Sequence, residues 1–389
     1  MNFSKYSEYL EYLISLGVPS VEVIINKNHE TIYHEIRGFS DSQKSVKASP
    51  NDLYFLYSSS KVLTCTAIMK LLEESKDIKL SSPIFEFLPE WKDPIVHENG
   101  VEKVSKRQIT VEDLMTMSAG LTYDTYTKNV RNFLAQNKNA TARELSTAIA
   151  KDGLIFEPGT RMAYSLCHDV LFALIESVTG KRASEYVKSK ILEPLGIKDL
   201  YYHSEGIENR ISQQYSMRKN GDIYPVAKIN EYILSPSYDS GGAGVITTCT
   251  EYAKLLDMLA CNGIGKNGEQ ILSSESIDNM RQNRLDSVRL KDFYNRANGM
   301  RCYGYGLGVQ TLIEQENYIT GNKSLSNIGE FGWGGAAGAN MTIDPKENLS
   351  VLFLMHVLNY PVPTGENAYF NDNYRFKTRD LAYIGLKNN

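Results

Sequence analysis

Ser58-Ser59-Ser60-Lys61 sets a hydroxyl and an amine three residues apart where an apolar helix begins. Upstream, Leu53-Tyr54-Phe55-Leu56-Tyr57 reads as a short buried strand. Downstream, Val62, Leu63, Ala67, Ile68, Leu71 and Leu72 recur at helical spacing. Residues i and i+3 of a helix share a face, so the amine of Lys61 can reach the hydroxyl of Ser58. A serine hydroxyl is a poor nucleophile until a neighbouring base takes its proton, and a lysine is such a base where burial or nearby cations favour its neutral form. The helix N-terminus adds backbone N–H groups for an oxyanion formed there. The chain carries a second copy of the pattern, Ser216-Met217-Arg218-Lys219. It runs into the turn signal Asn220-Gly221 with no apolar helix behind it, and so reads as structural.

The 389 residues suffice for one compact unit of two interleaved lobes. A formal charge of −4 gives no support to nucleic-acid binding or to a polybasic membrane surface. Tyr6, Leu10, Leu13 and Ile14 predict an amphipathic first helix ending at Gly17. That segment lacks the basic start and continuous apolar run of a secretory signal, and no stretch reaches the length of a membrane span, so a cytoplasmic protein is expected. Cys65, Cys167, Cys249, Cys261 and Cys302 are scattered without a Cys-x-x-Cys pair and read as small buried thiols. The histidines form no His-x-x-x-His pair, so neither metal nor organic cofactor is expected. A phosphate-binding Gly-rich loop and a Gly-x-Ser-x-Gly elbow are both missing.

Residues 21–25 and 31–36 flank the polar turn Lys27-Asn28-His29 and predict a β-hairpin. From about residue 80 to about 229 strand signals thin out, and helical patterns appear at 111–117, 142–151 and 170–178. A helix follows at 251–259, strand-like runs return at 306–311, 339–343 and 349–355, and a last helix covers about 375–386. The simplest account is an α+β fold. Residues 1–75 and 240–389 would form a lobe with an antiparallel sheet and the terminal helices, residues 76–239 a mainly helical insertion lobe, with the active site between.

Two further segments carry possible chemistry. In Phe156-Glu157-Pro158-Gly159-Thr160-Arg161-Met162-Ala163-Tyr164-Ser165-Leu166, a Pro-Gly turn delivers Tyr164 just ahead of an apolar helix that stops at Gly180. A tyrosine there can point its hydroxyl into a cleft, although most tyrosines pack their rings. In Gly329-Glu330-Phe331-Gly332-Trp333-Gly334-Gly335-Ala336-Ala337-Gly338, five glycines let backbone approach something closely. That segment is either a bulged strand edge or an edge whose N–H groups receive a substrate oxygen.

The order Ser-x-x-Lys, tyrosine motif, Gly-rich triplet resembles the serine β-lactamase and penicillin-binding-protein superfamily over most of the chain. Phe87-Leu88-Pro89-Glu90-Trp91 is similar to its segment after the catalytic helix, and Met117-Ser118-Ala119-Gly120-Leu121 to its His-Thr-Ser-Gly-Leu element, with methionine for histidine. Ser240-Gly241-Gly242-Ala243-Gly244 resembles its Gly-rich turn, and Tyr303-Gly304-Tyr305-Gly306-Leu307-Gly308 its C-terminal strand lead-in. Two departures narrow the match. Trp333-Gly334-Gly335 replaces Lys-Thr-Gly, and Leu166 stands where the tyrosine motif has asparagine. Both variants, with Asp169 following, look like the family VIII carboxylesterases and related acyltransferases.

The resemblance implies Ser58 as nucleophile, Lys61 and Tyr164 sharing the proton work, and the backbone N–H groups of Ser58 and Ala336 as oxyanion donors. Trp333, Gly334, Gly335 and Leu166 would line the substrate site. Tryptophan cannot hold a substrate carboxylate as the lysine would, and leucine cannot hydrogen-bond a substrate amide, so a small neutral ester is expected. A β-lactamase, a D-amino-acid peptidase and an acyltransferase remain alternatives on the same residues, and a non-catalytic binding protein is a weaker one. The expected partner is a small-molecule ester or amide.

Overall fold

The computed structural model describes residues 1–98, 100–296, 301–315, 323–361 and 373–387. The first hairpin forms where its alternating residues place it, as β1 (Ser20–Lys27) and β2 (Glu30–Gly38). Its two-residue tip, Asn28-His29, has both φ angles positive, 50° and 67°. That geometry matches the twist of the flanking strands. Five further strands come from the other end of the chain: β3 (Tyr303–Tyr305), β4 (Gln310–Leu312), β5 (Phe331–Gly332), β6 (Asn340–Asp344) and β7 (Leu349–Leu354). They join in the order β3-β4-β5-β6-β7-β1-β2, each neighbouring pair antiparallel. Ile24 of β1 faces Leu352 of β7 across the seam between the chain's two ends.

The central strands are covered on both faces, which explains why β1 and β7 read as near-continuous apolar runs. Val21, Val23, Ile25, Val351 and Phe353 pack against the terminal helices α1 (Ser4–Ser15) and α5 (Tyr374–Lys387), where they meet Leu10, Leu13 and Leu381. Ile24, Leu352 and Leu354 face the other way, into the main core. That core is built on α2 (Ser60–Glu74), α3 (Cys167–Thr179) and α4 (Cys249–Ala260).

The structure departs from the sequence reading where elements are short. Residues 306–311 are not one strand. Gly306 donates to the Val309 carbonyl at 2.8 Å and Gly308 takes φ +76°, so the glycines turn the chain between β3 and β4. Strands also occur inside the middle segment: Ile95–Glu98 pairs with Val101–Val104, and Leu200–Tyr201 joins Ile246–Thr247 and Tyr54–Phe55. Strands of two to four residues are too short for a period of two to register. Helices at Lys128–Gln136, Ser274–Arg281 and Ser287–Arg296 were likewise not expected, because polar residues dominate them. The segment before Ser58 forms strand only at Tyr54–Phe55. No helix among the described residues is long and apolar enough to cross a membrane.

His356, just past β7, braces that lead-in. Its buried Nε2 accepts the Phe55 N–H at 3.2 Å, so the proton sits on Nδ1, which donates to the Ser212 carbonyl at 3.1 Å. Burial pushes its pKa down from 6.5 to about 4. The fold therefore needs neutral His356. Its contribution is complete above pH 6.5 and is lost as pH falls towards 4. Urea unfolding at pH 7 and pH 4.5 should show the stability advantage of wild type over His356→Gln shrinking by ~2 kcal/mol at the lower pH. A difference that does not change with pH would mean that His356 is not held neutral.

Candidate active site

Ser58 lies in a 3-10 turn, Tyr57–Ser59, that runs directly into α2. Tyr57 takes φ +48°, a left-handed conformation that costs a bulky residue strain and turns the chain sharply between strand and helix. Ser58 is left half-buried while Ser59, Ser60 and Lys61 are buried. The turn is clamped from the Gly-rich segment and from α4. Leu56 donates to the Val245 carbonyl at 2.9 Å, and Ser60 Oγ accepts the Val245 N–H at 3.0 Å. Thr64 Oγ1 donates to the Gly241 carbonyl at 2.6 Å, and the Tyr252 hydroxyl to the Ser59 carbonyl at 2.8 Å.

Lys61 is fully buried in the first turn of α2. Its Nζ donates to the Gly242 carbonyl at 2.7 Å and lies 4.6 Å from the ring centre of Tyr164 and 5.5 Å from that of Tyr123. Asp169, on the first turn of α3, accepts from Tyr238 and Ser240 at 2.8 Å each. A Cβ on Gly242 would stand 2.6 Å from Asp169 Oδ2 and 3.5 Å from Lys61 Nζ, so only glycine lets carboxylate, amine and backbone converge here.

Tyr164 is half-buried in the loop before α3. A ladder of loop contacts positions it. Gly159 donates to the Ser118 carbonyl at 2.8 Å, Ala163 to Met117 at 3.0 Å, and Leu166 to Thr122 at 3.0 Å. The Met117–Leu121 element thus holds the tyrosine loop through backbone bonds, which methionine makes as well as histidine would. The Trp333 indole N–H points at the Tyr164 hydroxyl at 3.4 Å, and the two rings stack with centres 6.0 Å apart. Tyr305 meets the face of Trp333 edge-on at 5.3 Å.

The Gly-rich segment passes tightly against the Ser58 turn. A Cβ on Gly335 would lie 2.3 Å from the Leu56 carbonyl oxygen and 3.2 Å from Ser59 Oγ. Ala336 follows at the exposed tip, and its N–H has no acceptor among the described residues. Ser58, Lys61, Tyr164, Trp333, Gly334, Gly335 and Ala336 therefore converge from three distant segments. Leu166 does not join them. It is 3% exposed and packs in the main core, because the α3 N-terminus turns it inward. Ser216 sits in a short strand, Tyr215–Met217, with its hydroxyl accepting from Asn359 at 3.0 Å.

Sequence reading missed Tyr123 and Arg375. The Tyr123 ring lies 5.1 Å from that of Tyr164, and burial, reinforced by Tyr164, holds its pKa well above the usual phenol value, so it stays protonated. Tyr232 packs obliquely on it with ring centres 5.5 Å apart. Only its place two residues past Leu121 sets Tyr123 apart from the other 24 tyrosines. Arg375 comes from the first turn of α5 and packs on Gly334, where a Cβ would lie 2.6 Å from its guanidinium carbon.

Comparison with known proteins agrees with this geometry. A family profile described as Beta-lactamase matches residues 5–374. Protein Rv1367c of Mycobacterium tuberculosis (strain ATCC 25618 / H37Rv) is 25% identical over 329 residues, covering 82% of this chain and 80% of the relative. The fold is similar to that of EstCE1, described as a hydrolase with promiscuous acyltransferase activity, with TM-score 0.78, 22% identity and 98% of each chain covered. It is also similar to that of unliganded simvastatin synthase (LovD) from Aspergillus terreus, with TM-score 0.75, 20% identity and 98% of each chain covered. A profile match over nearly the whole length, with a fold shared end to end, leaves one conclusion: the chain belongs to the Beta-lactamase family.

Proposed function

We propose that this chain hydrolyses small carboxylic esters through an acyl-enzyme on Ser58. The observation that carries this reading is the half-buried Ser58 three residues before a buried Lys61 whose Nζ lies over the Tyr164 ring. In the first step Ser58 Oγ forms a bond to the ester carbonyl carbon. Its proton passes to the Lys61–Tyr164 pair, and the negative charge on the carbonyl oxygen is received by the N–H groups of Ser58 and Ala336. The C–O bond to the alcohol then breaks, and the same pair returns the proton to the leaving oxygen. Water repeats the sequence in reverse and frees the acid. Tyr123, a neutral phenol packed beside Tyr164, lends its ring to the pocket that holds Lys61. The Trp333 and Tyr164 rings offer an apolar wall suited to a neutral acyl or alcohol group. An alcohol in place of water would make the same site an acyltransferase, the activity that EstCE1 is described as showing alongside hydrolysis.

A second reading has one observation in its favour. Arg375 brings a guanidinium to Gly334 although the third motif has lost its lysine. A substrate with a carboxylate, such as a β-lactam or a D-amino-acid peptide, would find a partner there.

A fluorophosphonate probe should label wild type and fail to label Ser58→Ala; labelling that survives, or that maps to Ser216, would remove Ser58 from the mechanism. Lys61→Ala and Tyr164→Phe should each lower p-nitrophenyl ester turnover by about a hundredfold or more, with the fold retained by circular dichroism. Tyr123→Ala removes a ring from beside the Lys61 amine and Tyr164, and kcat should fall about tenfold with KM little changed. Wild type should show a higher kcat/KM on p-nitrophenyl esters than on a chromogenic cephalosporin, and Trp333→Lys should move that ratio towards the cephalosporin. A wild-type ratio that already favours the cephalosporin would establish the second reading instead.

A further inference from the structure

Away from the Ser58 turn, three side chains of different chemistry meet at the tip of the first hairpin. Asp257 and Cys261 lie four residues apart on one face at the end of α4, where Cys261 is the C-terminal cap. His29 reaches them from the β1–β2 turn, its Nδ1 2.8 Å from Asp257 Oδ2. The Cys261 thiol lies 3.8 Å from the other carboxylate oxygen, and the three donor atoms fall within 4.8 Å of one another. We propose that His29, Asp257 and Cys261 form a binding site for one zinc-class divalent transition-metal ion.

The donor set argues for that class of ion. Imidazole nitrogen, carboxylate oxygen and thiolate sulfur suit zinc and its neighbours, whereas calcium and magnesium take oxygen ligands. Bonds of roughly 2.0 to 2.3 Å in a tetrahedron put donors roughly 3.3 to 3.8 Å apart. The observed separations bracket that range, and the side chain best placed to adjust is His29, which is 30% exposed while Asp257 is 6% exposed. The open side faces solvent, which leaves the fourth position to water. The C-terminal end of α4 carries the negative end of the helix dipole, which favours a cation there.

The hairpin geometry adds a further reason. His29 takes φ +67° at a turn position that glycine fills without strain, so a side chain is kept where the backbone disfavours one. The thiolate, not the thiol, is the metal ligand, so an ion that binds Cys261 displaces its proton. The metal–sulfur bond forms, the S–H bond breaks, and one proton goes to the buffer. Bound metal would tie the hairpin tip to α4, the helix whose Tyr252 holds the Ser59 carbonyl. Scattered cysteines and histidines gave no such expectation in the sequence, because His29 and Asp257 stand 228 residues apart.

Titration of the full-length protein with Co²⁺ tests the site. One equivalent should produce the near-ultraviolet thiolate-to-cobalt band, Zn²⁺ should displace it, and calorimetry in two buffers should report release of about one proton. Cys261→Ser should abolish the band, and Asp257→Asn and His29→Asn should each weaken binding about tenfold or more. Zn²⁺ should raise Tm in wild type and not in these variants. Absence of the band in wild type, or a band of equal intensity in Cys261→Ser, would overturn the proposal. Ester turnover by the same variants in metal-free buffer checks their folding independently of the metal.

Discussion

The bond from Lys61 Nζ to the Gly242 carbonyl is the constraint on which the rest of this structure depends. A lysine removed from water is tolerated only where carbonyls and aromatic faces replace its hydration. Supplying them requires the Gly241-Gly242 turn on one side and the rings of Tyr164 and Tyr123 on the other. Each of those partners belongs to a different stretch of chain, so burying one amine fixes how three loops sit around one helix end. The glycine at 242 follows from the same demand, since any side chain there would strike Asp169.

A second layer holds the Ser58 turn in place. The sheet delivers the Gly334-Gly335 edge against the Leu56 carbonyl, and β7 ends on His356, which holds the strand leading to Ser58. α4 supports both sides at once, packing on β7 while Tyr252 grips the Ser59 carbonyl. Strain at Tyr57 is thereby held by surrounding structure rather than relaxed, as expected where a nucleophile is preorganised. The aromatic wall of Trp333, Tyr164 and Tyr305 is continuous with the core, so substrate preference and stability share the same rings.

Local patterns carried a large share of this in advance. Ser58 and Lys61 were legible because i, i+3 spacing and an apolar helix are both local features. Tyr164 and the Gly-rich segment were legible once their order along the chain resembled one superfamily. Leu166 misled, because its position in a motif says nothing of which way a helix N-terminus turns it; the core claimed it. Tyr123 was hidden among many tyrosines, and it meets Lys61 and Tyr164 only because the backbone ladder between 117–122 and 159–166 brings the two loops together.

What the sequence by itself determined is the type of each long element and the identity of the reactive groups, since periodicity and side-chain chemistry are properties of neighbouring residues. The terminal hairpin, the Ser58 helix and the two long strands 340–344 and 349–354 follow from it. Only the tertiary structure decided which distant groups share a space. Pairing β1 with β7 joins the two ends of the chain. Arg375 reaches the third motif, and His29 reaches Asp257 and Cys261, through contacts whose partners are separated by dozens to hundreds of residues. No local pattern encodes such contacts, because they arise from burying two faces of one sheet at once, and that condition exists only in the folded chain.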